Sequence, residues 1–278
     1  MKKYRLGYNT NGFTCHPLSW ALEIIGQLGY ECVAITLDHC ALNPWNRTLN
    51  QEIQRVEEIL KRYSLSCIIE TGSRFLLDPW HKHEPTLISA EAQGRTLRLD
   101  FLKRALYIAS RLGAEAISLW SGKKPDSVSD REAWQWLAEG CQELTVSAKN
   151  EGVSLAFEPE PGMFLETLSQ YQKLKEMVNR DNFGLTLDLG HTFLKEAVTV
   201  GECIQKYRQD VMNIHIEDMN KEVHEHLFFG EGNMNFLEIF QVLRKIDYDG
   251  PLTIELSHHS HNAVEVAKKA RDFLMKYV

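Results

Sequence analysis

Short runs of Val, Ile, Leu and Phe recur along the chain, separated by longer stretches whose apolar positions follow a helical period. The short runs predict strands over residues 5–9, 32–37, 65–70, 116–120, 153–158, 183–188, 211–216 and 252–256. Continuous apolar runs of this kind suit strands covered on both faces, as in a parallel sheet. The longer stretches predict helices over 18–28, 52–62, 91–112, 131–150, 167–178, 196–207, 236–246 and 263–277. Capping residues agree: Ser129-Asp130 and Asn235 precede two of these segments, and Gly113 and Gly152 follow two others. Eight strands alternating with eight helices predict an α/β fold, the (β/α)8 TIM barrel, as a single domain over residues 1–278. A doubly wound open sheet is the alternative. The first strand leads into GYNTNGF, which lacks the G-x-G-x-x-G spacing of a dinucleotide site. The long loop 71–90 carries Trp80, His81 and His83, and a loop of that length suggests a lid or binding loop.

The ends of the predicted strands hold the candidate chemistry. The third ends at Glu70. The fifth ends at Glu158, with Glu160 beyond it. The sixth ends at Asp188, followed by His191. The seventh gives His215 and then Asp218, and the eighth gives Glu255. In a barrel these ends converge on one face, where such folds keep their active sites. Carboxylates embedded in apolar runs are costly to bury unpaired, and a divalent cation offsets that cost. Glu158, Asp188, His215 and Glu255 form a mixed oxygen and nitrogen set suited to one divalent metal ion: Mn²⁺, Zn²⁺, Co²⁺ or Mg²⁺. Taken singly, each has a plainer role: a helix cap or an Arg partner for a carboxylate, a core position for His215, a turn for His191. Their weight comes from forming a set on successive strands. His258, His259 and His261 follow the last strand, at the mouth or in a solvated loop. Cys15-His16 and His39-Cys40 are adjacent pairs with no orienting Asn or Asp indicated.

Composition narrows the classes. The chain is 44% hydrophobic and 25% charged, an ordinary globular balance that excludes a disordered or collagenous protein. Asp and Glu total 38 against 31 Lys and Arg, and that acidity argues against a nucleic-acid partner. Six scattered cysteines without a C-x-x-C read as free thiols in a reducing, cytoplasmic setting. The start, MKKYRLGYNTNGF, has no apolar signal-peptide region, and no run of about 18 apolar residues predicts a membrane span. Trp134 and Trp136 lie two apart on one helix, so one is expected on the surface, where a homo-oligomer contact would cover it. Lys123-Lys124 offers positive charge after the fourth strand, with a solvated pair the plainer reading.

An ordered set of motifs then carries a resemblance. AFEPEPG holds Glu158, TLDLGH holds Asp188 and His191, NIHIEDMNKEVHEHLFFGEGNMNF holds His215, Asp218, His224 and His226, and IELS holds Glu255. The chain resembles the xylose isomerase-like TIM-barrel superfamily, which groups sugar isomerases and epimerases with endonuclease IV. The resemblance covers essentially the whole chain, strongest over residues 153–257. It implies one divalent cation held by Glu158, Asp188, His215 and Glu255. It also implies acid/base roles for Glu158 and Glu255 on opposite faces of a sugar, and substrate contacts for His191 and Lys221. Ketose 3-epimerases carry a further Glu where this chain has Phe164, so Glu160 or Glu166 would have to supply that contact. The GEGN segment is similar to endonuclease IV, with His226 on a metal-ligand position, but His224 replaces an Asp there. The third and fourth strand ends, ETGSR and LWSGK, lack the nuclease's histidines. Trp120 instead suits a wall of a small sugar pocket.

The resemblance implies a metal-dependent isomerase or epimerase acting on a sugar, sugar phosphate or polyol through an enediolate. The alternatives are a dehydratase of a cyclic polyol or keto acid, an abasic-site nuclease, and a non-catalytic metabolite-binding barrel. The implied partner is a small-molecule sugar or polyol.

Overall fold

A computed structural model describes residues 4–277. The first three residues and Val278 lie outside it, so the ends of the expected 1–278 domain and the first residues of the leader reading are not described. The strands are β1 (Arg5–Asn9), β2 (Cys32–Thr36), β3 (Ser66–Glu70), β4 (Ala116–Leu119), β5 (Ser154–Phe157), β6 (Phe183–Asp188), β7 (Val211–Ile216) and β8 (Pro251–Ile254). Each pairs in parallel with the next, and β8 returns to β1 with Leu252 opposite Leu6, closing a single-domain (β/α)8 barrel. The helices are α1 (Leu18–Gln27), α2 (Leu49–Tyr63), α3 (Ala92–Leu112), α4 (Asp130–Glu151), α5 (Leu168–Val178), α6 (Leu189–Lys195), α7 (Val200–Tyr207), α8 (Phe236–Lys245) and α9 (Ala263–Leu274). Short 3₁₀ turns follow β1 (Thr10–Phe13) and β8 (Ser257–Asn262). No helix among the described residues is long and apolar enough to cross a membrane.

The period of two along each strand sorts side chains between the barrel interior and the helix layer. Outward residues such as Val33, Ile35, Ile69, Ile117, Leu155, Leu185, Ile214 and Ile216 are fully buried in one continuous core with the helices. Burying each such side chain contributes about 1.5–3 kcal/mol. A one-residue slip would exchange these with the inward set, so register is strongly specified. Inward residues change character along the barrel axis. Ala34, Ile68, Ala116 and Ala156 form a small apolar floor with Met212. Above it, Thr186 Oγ1 donates to Ser118 Oγ at 3.0 Å and Thr253 Oγ1 donates to Asn213 Oδ1 at 3.3 Å. The next positions toward the carboxyl ends are Glu70, Glu158, Asp188, His215 and Glu255.

Two expectations are corrected. The helix expected over 196–207 begins only at Val200, as α7, and α6 (Leu189–Lys195) precedes it where no helix was expected. Asp188 ends β6 and at once caps α6, its Oδ1 accepting from His191 N–H at 2.7 Å. Thr199 and Glu202 then form a capping box that starts α7. Neither Trp134 nor Trp136 stands bare: both are half-buried, Lys173 lies over one at 3.9 Å and Arg95 over the other at 3.7 Å. The long loop is anchored from beneath. Buried Arg98 of α3 donates to Ser73 Oγ and Thr71 O, each at 2.7 Å.

Candidate functional site

The four carboxyl-end residues from β5 to β8 meet at the mouth. Potential ligand atoms of Glu158, Asp188, His215 and Glu255 lie within 4.8 Å of one another. His215 is the centre: its Nδ1 is 2.8 Å from Glu255 Oε2, 3.2 Å from Glu158 Oε1 and 3.8 Å from Asp188 Oδ2. On the far side of the ring, Nε2 is 3.1 Å from Glu70 Oε1 and 3.0 Å from Asn213 Nδ2. All these groups are buried apart from Glu255, which is partly exposed to the cleft. Asp188 Oδ2 is buried without a hydrogen-bond partner. Three carboxylates around one imidazole nitrogen, one of them with a bare oxygen, are a donor set consistent with a divalent cation site.

Burial raises the Glu158 carboxyl to about 8, with Glu255 and Asp188 adding to the rise and His215 opposing it. Glu255 is also disfavoured by burial, but His215, His226 and His191 outweigh that and hold it well below the usual range. Burial opposes protonation of His215, yet Glu255, Glu158 and Glu70 overcome it and raise it well above its ordinary value.

Around this centre lies a cavity of about 380 Å³, lined among others by Asn9, Asn11, Trp120, Glu160, His191 and His226. Asn11 Nδ2 donates to Glu255 Oε1 at 2.7 Å, which orients that carboxylate. Trp120 is 8% exposed and forms one wall, with the His83 ring edge-on at 5.3 Å. His191 donates from Nδ1 to Pro159 O at 3.2 Å, and its Nε2 meets His224 Nε2 at 2.9 Å. Burial depresses His191 to about 4, so it is the acceptor in that pair. His191, His224 and His226 also offer nitrogens within 4.8 Å of one another.

The remaining expected residues divide. Glu160 lines the cavity, whereas Glu166 is turned to Lys195 at 2.9 Å, so of the two only Glu160 reaches the cleft. Phe164 packs on Trp134. Lys221 stands apart: it is exposed, lies over Phe193 at 5.0 Å and reaches Glu196 O at 3.4 Å. Within loop 71–90, Lys82 and His83 line the cavity, while Trp80 is 83% exposed and His81 pairs with Asp78. His16 and His39 belong to a neighbouring cavity of about 170 Å³, and His258 lines the cleft.

Glu70, singled out at the end of the third strand but given no role, backs His215 as described. Two residues were missed: Asn11, which orients Glu255, and Glu217, fully buried, with neither carboxylate oxygen hydrogen-bonded and His226 Nδ1 3.9 Å from Oε2. Its Oε1 occupies the space where a Cβ on Gly190 would lie. The alternation Asn213, His215, Glu217 points it inward, whereas the adjacent Asp218 serves the loop. Asp218 Oδ2 accepts from the backbone N–H of Gly230 and Gly232, and Oδ1 from Met219 and Met234, at 2.8–3.1 Å.

A closed parallel barrel with ionisable side chains gathered at its carboxyl-end mouth defines a class of proteins that place their chemistry on that face. The chain belongs to the xylose isomerase-like TIM barrel family, whose pattern matches residues 22–277. It is 29% identical over 166 residues to an inosose dehydratase of Clostridium perfringens, covering 53% of this chain and 56% of that relative. It thus spans just over half the length of that protein. A D-allulose 3-epimerase from Methylomonas sp. superposes with a TM-score of 0.79 at 19% identity, over 100% of this chain and 99% of that one. The IOLI protein, solved with a zinc atom, superposes with a TM-score of 0.79 at 18% identity over 99% of each chain. At such identities the structural likeness carries the fold alone.

Proposed function

We propose that this protein is a metal-dependent isomerase or epimerase of a sugar or polyol, working through an enediolate. The single observation that carries the reading is the convergence of Glu158, Asp188 and Glu255 on one nitrogen of His215. Removing a proton beside a carbonyl is hard because the carbanion is unstable unless its charge moves to oxygen. A divalent cation held by these four residues would supply Lewis-acid stabilisation for that oxyanion. The chain's own groups do the rest. Glu255, held as a carboxylate and oriented by Asn11, is the base. Glu158, on the other side of the reacting carbon, is the acid that returns a proton. Return of the proton to the same carbon from the opposite face inverts it; return to the neighbouring carbon moves the carbonyl. His191 and Glu160 orient substrate hydroxyls, and Trp120 with His83 screens the centre from water.

A second reading is a dehydratase using the same enolising site, supported by the likeness to inosose dehydratase. His226 and His224, beside His191, could protonate a departing hydroxyl. A panel of ketoses and keto-inositols read by mass spectrometry separates the two: an isomerase conserves substrate mass and a dehydratase loses one water. Glu158→Gln and Glu255→Gln should each lower turnover by about 10²–10⁴-fold with the melting temperature essentially kept. Undiminished turnover in both variants would remove the acid/base assignment.

A further inference from the structure

Beside the quartet, several bare polar atoms face one another. A buried polar atom without a hydrogen-bond partner is uncommon and calls for a partner that the fold itself does not supply. Asp188 Oδ2, both carboxylate oxygens of Glu217 and His226 Nδ1 are all buried and all without one. Asp188, Glu217 and His226 each bring a potential ligand atom within 4.8 Å of the others. We propose that these three residues hold a second divalent cation, next to the one proposed for Glu158, Asp188, His215 and Glu255. The inference rests on that first site through the shared Asp188, and its test counts the two ions separately.

The placement follows from the chain. Glu217 continues the alternation of β7 past its end, so it follows His215 into the barrel and is 0% exposed. Gly190, in the first turn of α6, makes room for it: Glu217 Oε1 lies where any side chain at that position would begin. His226 comes from the segment between β7 and α8, lines the cleft, and turns Nδ1 toward Glu217, 3.9 Å from Oε2. That separation is too long for a hydrogen bond. It is close to the spacing of two ligands on one ion with bonds of about 2.0–2.2 Å. Asp188 Oδ1 is taken by the cap of α6, which leaves Oδ2 to bridge the two ions. Charge balance points the same way. Besides Glu70 behind His215, the two groups place the carboxylates of Glu158, Asp188, Glu217 and Glu255 around one mouth. One divalent cation offsets only two of those charges, and an uncompensated buried charge is costly. The neighbouring group of His191, His224 and His226 does not provide the site. His191 has both nitrogens engaged, Nδ1 by Pro159 O at 3.2 Å and Nε2 by His224 at 2.9 Å. Two carboxylates and one imidazole suit Zn²⁺ or Mn²⁺.

The test counts zinc. Protein stripped with a chelator is equilibrated with Zn²⁺ over a range of buffered free concentrations, and bound metal per chain is measured by elemental mass spectrometry. The proposal expects two ions per chain. E217Q keeps the size of the side chain and removes a charged ligand. Outer partners of a metal are worth about 10–100-fold in affinity and a ligand more, so the second ion should weaken by at least about 100-fold. G190A alters no ligand but puts a methyl group where Glu217 Oε1 lies, and should lose the same ion. H224Q should keep both. Urea unfolding of the metal-free forms checks that each variant folds. One ion per chain in the parent protein, or two of parental affinity in E217Q, overturns the second site and leaves the first standing. No bound zinc overturns both.

Discussion

Replacing Glu70 by Gln tests how the centre is held. The substitution keeps the shape of the side chain and an oxygen that can accept from His215 Nε2–H, 3.1 Å away. What it removes is the negative charge behind the ring. A carboxylate on the far nitrogen of a ligating imidazole orients the ring, selects the tautomer with a free Nδ1 and raises its basicity. Here Nδ1 is the nitrogen that faces Glu158, Asp188 and Glu255, so loss of the charge weakens the ligand that all three surround. Such outer partners are worth about 10–100-fold in metal affinity. That range corresponds to about 1.4–2.7 kcal/mol. Asn213 Nδ2 lies 3.0 Å from the same nitrogen but is itself a donor, so it offers Nε2–H no acceptor and the Gln oxygen alone holds the ring. The assay is competition of the protein against a fluorescent chelator for Mn²⁺ and Zn²⁺, with urea unfolding of the metal-free forms as the folding control. An affinity within twofold of the parent, in a variant of unchanged fold, would refute the reasoning.

Other predictions follow from the same geometry. Asp218→Ala leaves four backbone N–H groups of its own segment without their acceptor and should cost about 3–5 kcal/mol in urea unfolding, against little for a surface carboxylate such as Glu151; a loss below 1 kcal/mol would show that water replaces the carboxylate. Burial depresses His83 to about 4, so the folded protein prefers its neutral form. Its contribution to stability is complete above about pH 6.5 and is lost as pH falls toward 4, by about 1–2 kcal/mol after allowing for its half-exposed position. His83→Asn tolerates the left-handed backbone there (φ 71°) and should flatten stability between pH 4 and 6.5; an unchanged slope would contradict this. Arg98→Met keeps the stem packing but leaves Ser73 Oγ and Thr71 O without their donor, and should speed proteolysis within loop 71–90; equal cleavage rates would show that the loop is held without it.

Much of the architecture was legible because a parallel barrel writes itself in buried runs. All eight strands lie where apolar residues cluster: β1, β6 and β7 match end for end, and the other five have an end shifted by one or two positions. The quartet was legible for the same reason: an ionisable residue closing an apolar run has few places to point. The misses arise where one residue's meaning depends on a partner distant in sequence. Glu217 and Asp218 are adjacent, and only the period of two, counted from Asn213 and His215, separates the inward one from the one that ties down Gly230 and Gly232. Glu70 gains its role from His215, 145 positions away, and Asn11 from Glu255, 244 away. Lys221 lies in a segment with no apolar period to orient it, and the structure turns it to the α6–α7 junction. The break between α6 and α7 was written in two caps, Asp188 and Thr199, but Asp188 reads equally well as a ligand, and in the structure it also caps.

The central claim is that residues from four successive strands hold one divalent cation. Crystals grown with Mn²⁺ and measured for anomalous scattering test it most directly. The account predicts a peak at ligand distance from Glu158, Asp188, His215 Nδ1 and Glu255 together, absent from Glu158→Gln crystals or greatly weakened in them. Well-ordered crystals with no anomalous density among these four side chains would contradict it.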